Sequence, residues 1–222
     1  MSKIDEMIAR LCPDGVEYKS LEELFEMRNG YTPSKSIAAN WVDGIIPWFR
    51  MEDIRENGRV LDDAIQRIPM SAVKGGRVFP ANSIIIATSA TIGEHALITV
   101  PFMSNQRFTA MWLKENYSHA FEIKFVYYYA FILAEWCRNN TTMSSFAAVD
   151  MSSFKRFRIP VPPLEIQQEI VRVLDCFTEL EAELEAELEA ELEARKKQYA
   201  YYRDSLLMFP ERERESKVDD FG

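Results

Sequence analysis

The sequence predicts an α+β fold: one globular domain with a small, mostly antiparallel sheet and helices, followed by a long C-terminal helix. Three observations predict it. Between residues 77 and 113 short β-branched or aromatic runs alternate with Pro, Gly, Ser and Asn. Apolar residues at helical spacing lie on both sides of that region. From Leu164 to Met208 no Gly or Pro interrupts a run holding four consecutive tetrads, Leu-Glu-Ala-Glu at Leu180, Leu184 and Leu188 and Leu-Glu-Ala-Arg at Leu192.

Ile4, Met7, Ile8 and Leu11 trace one face of a short helix that ends at the turn Cys12-Pro13-Asp14-Gly15. A second helix begins at the box Ser20-x-x-Glu23, where the hydroxyl accepts from the Glu23 amide and the carboxylate returns the bond. It is expected to stop at Asn29-Gly30, a left-handed C-terminal cap. Turn residues dominate from Tyr31 to Val60, anchored by Trp41, Ile46, Trp48 and Phe49. Strands are expected at Arg77–Phe79, Ser83–Thr88, Ala96–Val100 and Phe108–Leu113. Residues 119–138 return to helical spacing through Phe121, Phe125, Tyr128, Ile132 and Trp136. A polar loop, Asn139 to Ser145, leads to a final strand near Phe157–Val161. The expected organisation is a globular domain over 1–161, a spacer and dimerisation helix over 162–209, and a short polar tail over 210–222.

Pro163 suits the first helical position, where its missing N–H costs nothing. About 45 residues of helix run roughly 65 Å at 1.5 Å each. The apolar seam is Ile170, Leu174, Phe177, Leu180, Leu184, Leu188, Leu192, Tyr199, Tyr202 and Leu206. A leucine stripe of this length needs a partner groove, which favours pairing, in a dimer or with another subunit, over a helix folded onto its own domain. Glu179, Glu183, Glu187 and Glu191 repel weakly along one edge, and Glu191–Arg195 and Glu193–Lys197 relieve the end. Four residues per repeat overshoot 3.6 per turn, so the stripe drifts about 40° per tetrad and follows no long left-handed supercoil.

A hydrophobic fraction of 47% is enough for a real core. The net charge of −9 belongs to one end: residues 1–160 carry 18 Lys+Arg against 18 Asp+Glu, residues 161–222 carry 8 against 17. The globular part is no polycation, so tight unspecific DNA binding by this chain alone is not expected. Three scattered cysteines, Cys12, Cys137 and Cys176, suit a reducing compartment. With no apolar signal core at the first residues and no bilayer-length apolar stretch, a soluble cytoplasmic protein is expected.

Catalytic signatures are largely missing. There is no Gly-x-x-x-x-Gly-Lys-Ser/Thr loop, no Gly-x-Gly-x-x-Gly after a strand, and no Asn-Pro-Pro-aromatic or Asp-Pro-Pro-aromatic tetrapeptide for gripping a flipped base. Glu122-Ile123-Lys124 has the Glu-x-Lys form of many nucleases, yet it falls in a helical stretch without a suitably placed upstream Asp. His95 and His119 have no ligand-spaced neighbours and read as surface imidazoles, so no metal site is expected.

Five segments carry a family resemblance: Ile8-Ala9-Arg10-Leu11-Cys12-Pro13-Asp14-Gly15-Val16-Glu17-Tyr18-Lys19; Gly30-Tyr31-Thr32-Pro33-Ser34 followed by Trp41, Gly44 and Ile46-Pro47-Trp48; Phe102-Met103-Ser104-Asn105-Gln106; Ile159-Pro160-Val161-Pro162-Pro163-Leu164-Glu165-Ile166-Gln167-Gln168; and Arg195-Lys196-Lys197-Gln198-Tyr199-x-Tyr201-Tyr202-Arg203-Asp204. Together they span nearly the whole chain, which resembles the specificity (S) subunits of type I restriction–modification enzymes. The resemblance implies a target-recognition domain for double-stranded DNA and a helix that pairs as an antiparallel coiled coil. It implies docking of methyltransferase (M) subunits and, for cleavage, motor-nuclease (R) subunits. It also implies adenine N6 methylation, with S-adenosylmethionine bound by the methyltransferase and no cofactor or catalysis on this chain.

The sequence departs from the family by carrying one recognition domain where S subunits carry two. A half-subunit that pairs with a second copy is therefore expected, with a truncated remnant of a full-length subunit as one alternative. A coiled-coil adaptor that binds protein instead of DNA is the other. Groups expected to contact DNA are Arg50, Arg77, Thr88, Ser89, Thr91, Asn105, Gln106 and Arg107, with Thr32, Ser34 and Ser36 as looser candidates. Asn105 and Gln106 have a structural alternative, capping a turn or strand. Tyr127 to Tyr129 and Trp136 read as packing surface.

Overall fold

The computed structural model describes residues 2–142 and 147–209, so the end of the polar loop and the tail from Pro210 lie outside the described residues. In chain order the strands are β1 (Tyr18–Ser20), β2 (Phe25–Asn29), β3 (Ile46–Phe49), β4 (Val60–Leu61), β5 (Arg67–Ile68), β6 (Ser83–Ala87), β7 (His95–Ile98), β8 (Met103–Ser104), β9 (Phe108–Leu113), β10 (Thr141–Thr142), β11 (Ala148–Val149) and β12 (Arg158–Pro160). The α-helices are α1 (Lys3–Leu11), α2 (Leu21–Leu24), α3 (Met51–Asn57), α4 (Ile123–Asn139), α5 (Met151–Arg156) and α6 (Leu164–Leu207).

The principal sheet has the order β2-β9-β6-β7-β4, antiparallel except where β4 runs parallel to β7. A second sheet, β5-β3-β8, packs on it, and β1 pairs with β12 to tie the first residues to the end of the globular unit. Strand β6 is buried along its whole length, which explains its unbroken Ile84-Ile85-Ile86 run. Because successive side chains point to opposite faces, Ile84 and Ile86 join Leu97, Met111 and the α4 residues Phe125, Leu133 and Cys137 in one core. Ile85 and Ala87 join Phe49, Ile68, Phe79, Phe102 and Phe108 in the other. The rings of Phe49 and Phe79 pack on Phe102 at 5.6 and 5.2 Å.

The capping box at Ser20 and Glu23 forms as expected, yet helix α2 lasts one turn. Phe25 to Asn29 form strand β2 instead of continuing the helix, paired in register with Leu113 to Thr109. A box starts a helix without specifying its length, and here the open edge of β9 supplies the backbone partners. Gly30 is no left-handed cap. A Cβ on it would lie 2.2 Å from the Asn105 carbonyl oxygen and 2.3 Å from that of Ser104, so glycine is required for two backbones to pass. Of the expected strand at Arg77–Phe79 only a bridge from Phe79 to Phe102 exists. Within the turn-rich stretch after Tyr31, β3 and α3 are regular.

His95 is not at the surface. It is 1% exposed, its Nδ1 lies 3.0 Å from the Gly93 carbonyl, and the Phe131 ring meets it edge-on at 4.5 Å. Burial holds its pKa below the ordinary value. Cys137 is buried, and burial pushes its thiol up to about 12, whereas Cys176 is exposed.

The chain divides into two compact units, Met1–Leu174 and Asp175–Gly222. The first turns of α6 thus belong to the globular unit. There Ile166, Gln167, Glu169 and Val171 are buried. The Gln167 amide donates to the Pro162 and Ala120 carbonyls at 2.7 and 2.8 Å and accepts from the Glu122 amide at 2.9 Å. Glu169 accepts from Arg172 at 2.7 Å and Lys3 at 3.0 Å, which holds its carboxyl down at about 2. In the second unit α6 exposes Phe177, Leu180, Leu184, Leu188, Leu192, Tyr199, Tyr202 and Leu206. The expected Glu191–Arg195 and Glu193–Lys197 pairs form at 2.7 and 2.6 Å. No helix among the described residues is long and apolar enough to cross a membrane.

Candidate nucleic-acid interface

Two connections, each leaving the second sheet, build one open cleft of about 460 Å³. The first runs from β8 to β9. Asn105 donates its N–H to the Phe49 carbonyl at 3.1 Å, and its Oδ1 accepts from the Arg107 amide at 3.0 Å. Asn105 therefore does cap a turn, as its structural alternative held, and in doing so it turns Gln106 and Arg107 outward, both exposed. The second connection runs from β3 into α3. The Arg50 amide donates to Asp53 Oδ2 at 2.6 Å, while Asp53, fully buried, accepts the Ile65 amide at 2.7 Å on its other oxygen. This fixes the backbone of Arg50 at the mouth of the helix.

The aromatic floor comes from the Tyr31–Phe49 stretch. The Trp48 indole N–H donates to the Tyr31 carbonyl at 3.0 Å, and Trp41 meets Trp48 edge-on at 5.1 Å. The Arg50 guanidinium lies 5.5 Å from the Trp48 ring and 4.0 Å from Glu52, and its buried Nε makes no hydrogen bond with a described residue. The Thr32 hydroxyl donates to the Gln106 side-chain oxygen, and Lys35 and Gln66 complete the lining. Lys35, Arg50 and Arg107 outnumber the single carboxylate of Glu52, so the cleft attracts anions while presenting guanidinium forks, primary amides and the Thr32 hydroxyl. Those are the groups that read base edges in a groove.

The structure brings Arg50, Asn105, Gln106, Arg107 and the looser candidate Thr32 together. It does not bring the others there. Thr88 is buried, with its hydroxyl 3.1 Å from that of Thr109. Ser89 bridges to Ala148, and the Thr91 hydroxyl is buried in the turn between β6 and β7. Arg77 is exposed outside the cleft, its carbonyl accepting from Arg28 at 2.6 Å. Ser34 and Ser36 pair with each other at 2.8 Å. Sequence reasoning overlooked Lys35, Gln66 and both tryptophans as cleft residues. The available signal was Trp41 and Trp48 close together in a turn-rich segment ending at Arg50.

Residues 13–194 match the family model described as type I restriction modification DNA specificity domain. The chain is 62% identical over 214 residues to the type I restriction enzyme EcoprrI specificity subunit of Escherichia coli, covering 93% of this chain and 53% of that protein. It is 36% identical over 207 residues to the EcoR124I/EcoR124II specificity subunit of the same organism, covering 89% and 50%. The chain thus spans about half the length of these curated relatives. Its fold is similar to the crystal structure of the HsdS subunit from Thermoanaerobacter tengcongensis, with a TM-score of 0.58 and 20% identity over 82% of this chain and 44% of that one.

Proposed function

The chain belongs to the family of type I restriction–modification DNA specificity domains, and on that premise we propose that it is a non-catalytic recognition subunit. It reads one half of a bipartite target in double-stranded DNA per chain. As a homodimer paired through α6 it positions methyltransferase subunits, and motor-nuclease subunits join the same complex for cleavage. S-adenosylmethionine is held by the methyltransferase partner, adenine N6 is the modified position, and the complex works in the cytoplasm.

The observation that carries this reading is the cleft, in which Gln106 and Arg107 from one loop and Arg50 from another project from braced backbones. Direct readout needs donors and acceptors held in register, since a mobile side chain spends its hydrogen-bond energy on ordering itself. Gln106 can accept from adenine N6 and donate to N7, and Arg50 or Arg107 matches guanine O6 and N7.

Methylome sequencing of cells carrying the subunit with its methyltransferase tests it. Gln106→Ala is expected to relax one position in each half-site, a discrimination loss of about 1–3 kcal/mol, while the rest of the motif stands. An unchanged motif, or equal weakening at every site, would remove Gln106 from base readout.

A further inference from the structure

We infer that the apolar groove between α1, α4, β12 and the first turns of α6 seats residues Tyr199 to Leu207 of a second copy of this chain. The inference rests on the homodimer proposed above and adds a register and a docking surface to it. The groove has a volume of about 320 Å³, with walls from Ile8 of α1, Tyr128 and Ile132 of α4, and Ile166, Ile170 and Leu174 of α6. Ile132 stands 54% exposed. Apolar surface gathered into a concave patch marks a place where another surface belongs. The second unit presents a matching convex patch: Tyr199 is 69% exposed, Tyr202 54% and Leu206 74%.

Register selects the occupant. Two identical antiparallel helices related by a two-fold axis pair residues equidistant from it. With the axis at Leu188, Leu184 meets Leu192, Phe177 meets Tyr199, Leu174 meets Tyr202 and Ile170 meets Leu206. The last two pairs carry the partner's helix end onto residues that line the groove. The same register sets Glu181 opposite Arg195 on either side of the axis, within the stripe. Leu180 is level with Lys196, which lies on the other flank of the stripe.

A shift of the axis to Ala186 pairs the tetrad leucines among themselves but is disfavoured twice over. It sets Leu206 against Ile166, which is only 1% exposed, and Phe177 against Arg195. α6 runs from Leu164 to Leu207 with no Gly or Pro between them.

The test uses the full chain with Cys12→Ser and Cys176→Ser. One variant adds Leu188→Cys, a second adds Ile170→Cys with Leu206→Cys, and a third adds Leu174→Cys with Tyr202→Cys. After mild oxidation, disulfide-linked dimers are expected in all three, with the linked peptides identified by mass spectrometry. Ile132→Glu, a change at an exposed position, is expected to raise the dimer dissociation constant at least tenfold with an unchanged circular dichroism spectrum. Crosslinking in the Leu188→Cys variant alone, with no effect of Ile132→Glu, overturns the groove and leaves the homodimer standing. Linkage of position 170 to 202 instead of 206, in a variant carrying Ile170→Cys, Tyr202→Cys and Leu206→Cys together, overturns the register. A strict monomer at micromolar concentration by light scattering overturns the homodimer and this inference together.

Discussion

At the scale of single residues, two side chains show how much of the molecule is decided by what lies across the fold. Gly30 is adjacent to Asn29 at the end of β2, and any Cβ there would enter the backbone of Ser104 and Asn105. Gly30→Ala is expected to cost about 3 kcal/mol, the upper range for overpacking, because backbone cannot swing aside. Urea denaturation would show it, and an unchanged midpoint would mean the strands separate easily. His95 illustrates burial instead. Its folded pKa lies below the unfolded 6.5, so the unfolded chain takes up a proton that the folded chain refuses. Its contribution is at full strength above pH 6.5 and stability falls as pH drops below that value, by at most about 1.4 kcal/mol per pH unit. His95→Phe, which keeps a ring against Phe131, is expected to flatten the stability profile between pH 7 and 5.5. Equal slopes in the two proteins would show that His95 takes up its proton without unfolding.

At the scale of elements, α6 reconciles a drifting repeat with a straight face. Each tetrad advances the leucine about 40° around the axis, and the three-residue steps from Leu174 to Phe177 and from Phe177 to Leu180 turn it back. From Ile170 to Leu206 the seam averages 3.6 residues per turn and stays inside a stripe about 120° wide. Two such helices can pair side by side without supercoiling over their whole length. Tetrads are then units of length. Deleting Leu184 to Glu187 is expected to shorten the spacer between half-sites by about 6 Å, close to two base pairs, and to leave both half-sites intact. Methylome sequencing of the deletion strain reads the spacer directly, and an unchanged gap would rule out a ruler. The short helix α2 makes the complementary point. Its start was legible in Ser20 and Glu23, while its end depended on β9, some 85 residues away in the chain, offering an unpaired edge.

At the scale of the whole molecule, a sheet buried on both faces separates two cores, one against α4 and one against the sheet that carries the cleft. The cleft is thereby mounted on rigid elements, which suits readout that depends on geometry. If two copies pair through identical surfaces, the two-fold axis relates their clefts, and the DNA target must share it. The methylated motif is expected to be two identical half-sites in inverted orientation. A motif with two different halves, found in cells where this chain is the sole specificity subunit, would contradict a homodimer.

What the sequence determined by itself is whatever depends on local spacing. The helix from Leu164 onward, its seam, the relieving pairs Glu191–Arg195 and Glu193–Lys197, and strands β6 and β9 all follow from side-chain period and from neighbours within a few residues. The Asn105-Gln106 segment was legible too, since turn chemistry is written in adjacent residues. Only the tertiary structure decided the fate of β2, the burial of His95 and the sorting of the DNA candidates. Arg50 and Arg107 share a cleft, while Thr88 is turned inward onto Thr109. Those outcomes rest on contacts between residues tens of positions apart, where each group competes for a partner that local sequence does not specify.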